Sequence, residues 1–112
     1  SISVWGDGSA TREFLYVEDA VEGILLASEK YNKSEPVNLG SSYEISIKDL
    51  VELIAKHTGF KGKIIWDKSK PNGQPRRKLD TNRAKKEFGF SSSTTFNDGI
   101  NKTINWYEQN HA

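Results

Sequence analysis

The sequence predicts a small mixed α/β fold. Short β-favouring runs alternate with longer segments whose apolar residues repeat at helical spacing. Glycine or proline stands at most of the junctions between them. The 112 residues suit one domain with a modest core.

Ile2-Ser3-Val4-Trp5 reads as a first strand, closed by the turn Gly6-Asp7-Gly8-Ser9. Phe14-Leu15-Tyr16-Val17 reads as a second. A helix follows from about Glu18, with Ala20, Val21, Ile24, Leu25 and Ser28 on one face. Glu18 and Asp19 suit its first turn, where the helix dipole favours negative charge. It ends before Asn32, and Pro36 excludes continuation. Val37-Asn38-Leu39 reads as a third strand, closed by Gly40.

Ser46 caps a second helix, with Asp49 as a short analogue of the capping-box glutamate. Ile47, Leu50, Val51, Ile54 and Thr58 form its apolar stripe. Gly59 stops it and Phe60 folds back. Lys63-Ile64-Ile65-Trp66 reads as a fourth strand. Asp80 caps a short helix with Ala84 and Phe88 facing inward, and Gly89 stops it. Thr95 opens the last helix, with Phe96, Ile100, Thr103, Ile104 and Tyr107 as its buried face. There are no internal repeats, no low-complexity tracts and no long linker.

Composition narrows the function classes. No apolar run approaches the roughly 20 residues that span a bilayer. The chain has no cysteine, which removes disulfides and thiolate metal sites and fits a cytoplasmic setting. It has no methionine and opens on a strand-like run, so we expect a piece of a longer chain. The net charge of +1 conceals an asymmetry. Residues 61–86 carry a net of +8, residues 1–60 a net of −5 and residues 87–112 a net of −2. One basic segment on an acidic background points to a localised anionic partner. A general nucleic-acid binder more often carries high overall charge.

The catalytic inventory is thin. Nucleophilic catalysis needs a Ser or Cys beside a base. Only His57 and His111 are available, one late in a helix and one next to the C-terminus. No cluster of carboxylates accompanies them, so they form a poor metal site. Gly6-Asp7-Gly8-Ser9 lacks the three spaced glycines of a dinucleotide fingerprint, and a strand rather than a helix follows it. Trp66 and Trp106 read as core, whereas Trp5 beside a glycine turn reads as an exposed aromatic that could stack.

The richest stretch is Lys70-Pro71-Asn72-Gly73-Gln74-Pro75-Arg76-Arg77-Lys78-Leu79-Asp80. Prolines and glycine limit its conformations. Arginine forks match phosphate oxygens in paired geometry, so a stiff loop presenting them suits a diphosphate. A solvated surface loop whose charges aid solubility is the alternative.

Val4-Trp5-Gly6-Asp7-Gly8 followed by Arg12-Glu13-Phe14-Leu15-Tyr16-Val17-Glu18-Asp19 resembles the second half of an extended short-chain dehydrogenase/reductase. That superfamily includes the NAD-dependent epimerases and dehydratases of sugar nucleotides. Pro36-Val37-Asn38-Leu39-Gly40 and Ser46-Ile47-Lys48-Asp49-Leu50 are similar to its next landmarks. Within it, Lys70-Pro71-Asn72-Gly73-Gln74-Pro75-Arg76-Arg77 resembles the GDP-L-fucose synthase branch.

The resemblance implies that residues 1–112 are a C-terminal sugar-nucleotide-binding subdomain, lacking the Rossmann domain. It implies substrate-binding roles for Trp5, Arg12, Asn72, Arg76 and Arg77. Arg12 and Arg77 would lie near the diphosphate. Asn72 falls where bacterial members often carry an aspartate. An aspartate accepts two hydrogen bonds from guanine, whereas asparagine offers only its carbonyl. The branch performs an NADPH-dependent 3,5-epimerisation and 4-reduction of GDP-4-keto-6-deoxymannose. Its Ser, Tyr and Lys and its NADP(H) loop belong to the Rossmann domain, so this chain alone should bind no cofactor and be inactive. Its dimers pair through N-terminal helices absent here. A UDP- or dTDP-sugar enzyme of the same superfamily, and a free-standing anion- or RNA-binding module, remain open alternatives.

Overall fold

A computed structural model describes residues 1–111. Strand β1 (Ile2–Trp5) pairs in parallel with β4 (Ile64–Asp67), from Ile2 opposite Ile64 to Trp5 opposite Asp67. Strand β2 (Thr11–Glu13) pairs antiparallel with β3 (Glu44–Ser46). Four helices complete the order: α1 (Val17–Lys30) between β2 and β3, α2 (Ile47–Thr58) between β3 and β4, then α3 (Asn82–Phe88) and α4 (Phe96–His111). No helix among the described residues is long and apolar enough to cross a membrane.

The helix ends follow the local chemistry. The Ser46 hydroxyl accepts the Asp49 N–H at 3.1 Å and starts α2. Gly59 ends it in the left-handed region at φ 70°, and the Phe60 N–H returns to the Ala55 carbonyl at 2.9 Å. Thr95 Oγ1 accepts the Asp98 N–H and opens α4. The cap of α3 differs from expectation. Thr81 occupies the cap position without a side-chain bond to the helix backbone, while Asp80 Oδ1 accepts the Asn82 N–H in a local turn.

Two strands fall elsewhere than the sequence predicts. Phe14-Leu15-Tyr16 is extended but unpaired, because the partner strand β3 reaches only Thr11–Glu13. Val37-Asn38-Leu39 finds no strand partner among the described residues. Val37 and Leu39 instead pack on the core around Ala84, Phe88 and Phe90. Leu15, Leu26, Ala27 and Tyr31 close the same cluster.

The buried faces of two helices also differ. On α1 the inward residues are Asp19, Gly23, Leu26 and Ala27, while Val21, Ile24 and Leu25 stay exposed. The helix is apolar on two sides, and α3 covers only one. Asp19 does more than favour a helix dipole. Its carboxylate is buried and accepts the Thr94 N–H and the hydroxyls of Ser93 and Thr94, tying α1 to the segment before α4. On α4 only Gly99 is buried, and Phe96, Ile100 and Ile104 are half-buried. Thr103 is exposed, and so are Tyr107 and Trp106, so Trp106 is not core. Trp66 is half-buried beside Gly8.

Phe88 is 4% exposed and carries much of this small core. Phe88→Ala should lower unfolding stability by about 3–5 kcal/mol, the usual cost of emptying a buried aromatic site. Urea denaturation checks this, and an unshifted midpoint would show that the cluster around Phe90 holds without it.

Candidate functional site

Four of the five residues singled out in the sequence lie along one path. The loop 70–77 runs beside the segment from Trp5 to Arg12, and its contacts advance in step. Lys70 Nζ sits 5.5 Å from the centroid of the Trp5 ring. Asn72 Oδ1 accepts the Asp7 N–H at 2.8 Å. The Gln74 carbonyl accepts from Arg12 Nη1 at 2.7 Å. The Thr11 N–H donates to the Pro75 carbonyl at 2.9 Å, and the Arg77 N–H donates to the Thr11 carbonyl at 3.1 Å. Residues 75–77 thus add a short parallel bridge to the free edge of β2, with Arg76 beside Thr11.

Arg12 and Arg77 both bond Gln74, Arg12 at its backbone carbonyl and Arg77 at its side-chain amide. Arg12 Nη1 also donates to the Thr11 carbonyl at 2.7 Å. Arg77 donates from Nε and Nη2 to Gln74 Oε1 at 3.3 and 3.1 Å. Every acceptor in this group is a neutral carbonyl oxygen, so both guanidinium charges stay uncompensated and available to an anion. Trp5 is 63% exposed, which fits a stacking surface at the start of the path.

Arg76 does not join them. Adjacent side chains of an extended segment leave opposite faces, so Arg76 turns away from Arg77. Its Nε donates to Glu44 Oε2 at 2.8 Å. It lines a separate polar cavity of about 470 Å³ with Ser42, Lys78 and Thr81. Asn72 is placed on the path, yet its carbonyl already serves the Asp7 N–H. The second lone pair of that carbonyl and the amide N–H pair remain for a ligand.

The residues that shape the site were not singled out from the sequence. Glu13 and Gln74 stand inside the motifs but without a role assigned there, Glu44 lies outside them, and the two carboxylates act on segments 29–66 residues distant. Glu13 Oε2 accepts the Ser42 N–H at 2.7 Å and Oε1 accepts the Leu79 N–H at 3.0 Å. Glu44 Oε2 accepts from Thr11 Oγ1 as well as from Arg76. The hydrogen bonds from Arg76 first, then from Thr11, hold the Glu44 carboxyl below its ordinary value of 4.5. Hydrogen bonds from Ser9 hold Asp7 below 3.8. The histidines lie elsewhere, His57 against Asn97 and His111 stacked on Tyr107. An apolar cavity of about 800 Å³ among α1, α2 and α4, lined by Phe14, Tyr16, Tyr43 and Phe96, contains none of the five residues.

Two outcomes follow from this geometry. Gly6 has φ 88°, and a Cβ there would lie 2.0 Å from Asn72 Oδ1. Gly6→Ala should therefore expel Asn72 and speed hydrogen exchange at the Asp7 amide; an unchanged rate would refute the contact. The second concerns pH. A carboxyl depressed in the folded state contributes stability above its unfolded value and loses it as pH falls through the folded one. The Glu44 and Asp7 contacts should persist through neutral and mildly acidic pH and fail only as the pH falls below those ordinary values. Carboxyl carbon shifts in an NMR titration check this, and a Glu44 midpoint at or above 4.5 contradicts it.

Comparison with known proteins agrees with this architecture. The NAD dependent epimerase/dehydratase family matches residues 1–40. Over 109 residues the chain is 38% identical to GDP-L-fucose synthase 1 of Arabidopsis thaliana, covering 97% of this chain and 33% of that protein. Its fold matches a GDP-L-fucose synthetase from Naegleria fowleri bound to NADP, with a TM-score of 0.89 and 29% identity over 97% of this chain and 35% of that one. It also matches a UDP-glucose 4-epimerase with UDP-glucose from Thermotoga maritima, at a TM-score of 0.86 and 26% identity over 96% of this chain and 35% of that one. The chain spans about a third of the length of these relatives. By sequence and by fold, the chain is similar to the C-terminal part of extended short-chain dehydrogenase/reductase proteins, and the NAD dependent epimerase/dehydratase family matches its first 40 residues.

Proposed function

We propose that this chain is the sugar-nucleotide-binding portion of a GDP-L-fucose synthase-like enzyme. The observation that carries the reading is the convergence of Arg12 and Arg77 on Gln74, with no carboxylate among the described residues bonded to either. Two uncompensated guanidiniums on one face suit a diphosphate, and the exposed Trp5 along the same path suits the base or sugar. The relatives' names support a GDP-sugar, and the relative bound to NADP supports an NADP(H)-dependent parent. In this reading hydride and proton transfer belong to a Rossmann domain upstream, in a cytoplasmic, homodimeric parent. This chain binds and orients the nucleotide half of the substrate. The exposed apolar faces of α1 and α4 are surfaces for that domain to cover.

One observation favours a UDP- or dTDP-sugar instead. The Asn72 carbonyl is engaged by the Asp7 N–H, which leaves it one lone pair for the two guanine donors N1 and N2. Titrating the full-length protein with GDP and UDP decides between them, and tighter UDP binding moves the assignment to the second reading.

Arg12→Ala and Arg77→Ala in the full-length protein should each weaken sugar-nucleotide binding by about 1.5–3 kcal/mol, the range for hydrogen bonds to charged groups. NADP(H) affinity should be unchanged. Calorimetry with each ligand checks both, and equal losses for substrate and cofactor would remove these arginines from the substrate half.

A further inference from the structure

We propose that Glu44 and Arg76 form a latch that aims Arg77, and that Arg76 is a positioning residue and not a ligand of the anion. The inference rests on the sugar-nucleotide reading above and deepens it.

In the β2–β3 pair Thr11 stands opposite Ser46 and Glu13 opposite Glu44, so these four side chains share one face. Arg12 stands opposite the buried Ile45 on the other. Arg76 bridges beside Thr11 and takes the face of Glu44, which leaves Arg77 with Arg12. The charges divide in the same way. The face of Arg76 carries Glu13 and Glu44, and the cavity beside it adds Asp80 and Lys78, which offset each other. An anion approaching Arg76 would meet those carboxylates, and Arg76 is already paired. Arg12 and Arg77 bond only neutral oxygens among the described residues.

The latch also joins three segments at one atom. Glu44 Oε2, on β3, accepts from Thr11 on β2 and from Arg76 on the loop. With the side chain of Arg76 tied down on one face, its neighbour Arg77 must project from the other. The side chain of Arg76 is 67% exposed, and an exposed ion pair adds little to stability in water. Its effect is therefore on loop geometry more than on folding.

The test is a double-mutant cycle in the full-length protein, using Glu44→Ala, Arg76→Ala and the pair, titrated with GDP and with UDP. A latch predicts that each single change weakens binding about two- to tenfold and that the double change is no worse than the poorer single. Thermal midpoints should stay close to the parent's. If Glu44→Ala leaves binding unchanged or tightens it while Arg76→Ala weakens it, Arg76 contacts the anion and the latch is wrong. The latch is equally wrong if neither single change matters. Hydrogen exchange at the Thr11 and Arg77 amides supplies a readout without ligand, and both should exchange faster in Glu44→Ala. Failure of the unmutated protein to bind either nucleotide would count against the sugar-nucleotide reading alone, and exchange rates unmoved by Glu44→Ala would overturn the latch by themselves.

Discussion

Glu13 and Glu44 face each other across the β2–β3 pair, and much of the surrounding structure answers their need for donors. Like charges directly opposite on neighbouring strands destabilise the pair. Each carboxylate is instead supplied with hydrogen bonds from a distant segment. Glu44 draws in Arg76 and Thr11. Glu13 draws in the backbone N–H groups of Ser42 and Leu79. Ser42 sits at φ 62°, a conformation uncommon for serine, and its hydroxyl also meets that of Thr81. Two acidic side chains on a three-residue ladder thereby set the course of the basic loop and of the turn before β3.

That arrangement explains how one loop can carry adjacent arginines with different fates. Lys70 to Lys78 is strongly basic, and a loose loop of this kind would present its cations in many directions. Here the backbone is clasped at Thr11 from both sides, by Pro75 and by Arg77. Side-chain alternation then sends Arg76 to the acidic face and Arg77 to the face of Arg12. The two adjacent arginines are sorted into one paired with a carboxylate and one with no carboxylate partner among the described residues, and the second is useful to an anionic ligand.

The helices were the most legible part of the sequence. Ser46, Gly59, Gly89 and Thr95 mark element ends by local chemistry, and each end lies where that chemistry puts it. Ala84 and Phe88 were readable as inward for the same reason, since a short helix with one apolar side has one way to pack. Strand pairing was not readable. Phe14–Val17 and Val37–Leu39 have β-favouring composition, but a strand needs a partner edge, and β3 offers its edge to Thr11–Glu13. The inward side of α1 was ambiguous because Leu25 and Leu26 are equally apolar, and only the position of α3 selects between them. Of the site, Trp5, Arg12 and Arg77 could be found by residue type and by resemblance. Glu44 could not, because an acceptor that holds a guanidinium 32 residues away leaves no local trace in the chain.

The two halves of the chain are held by different forces. The Phe88–Phe90 cluster is small, and Ile24, Leu25, Trp106 and Tyr107 remain exposed around the rest of the helices. Those surfaces would gain stability from any domain that covered them. The path from Trp5 to Arg77 depends on none of them. Its partners are backbone amides, carbonyls and two carboxylates contributed by residues 5–13, 42–46 and 67–79. Hydrogen bonds are directional where apolar burial is not, so they can aim a guanidinium in a way that a larger core could not. Covering α1 and α4 would thus raise the stability of the chain while leaving the angle between Arg12 and Arg77 to the ladder beneath them.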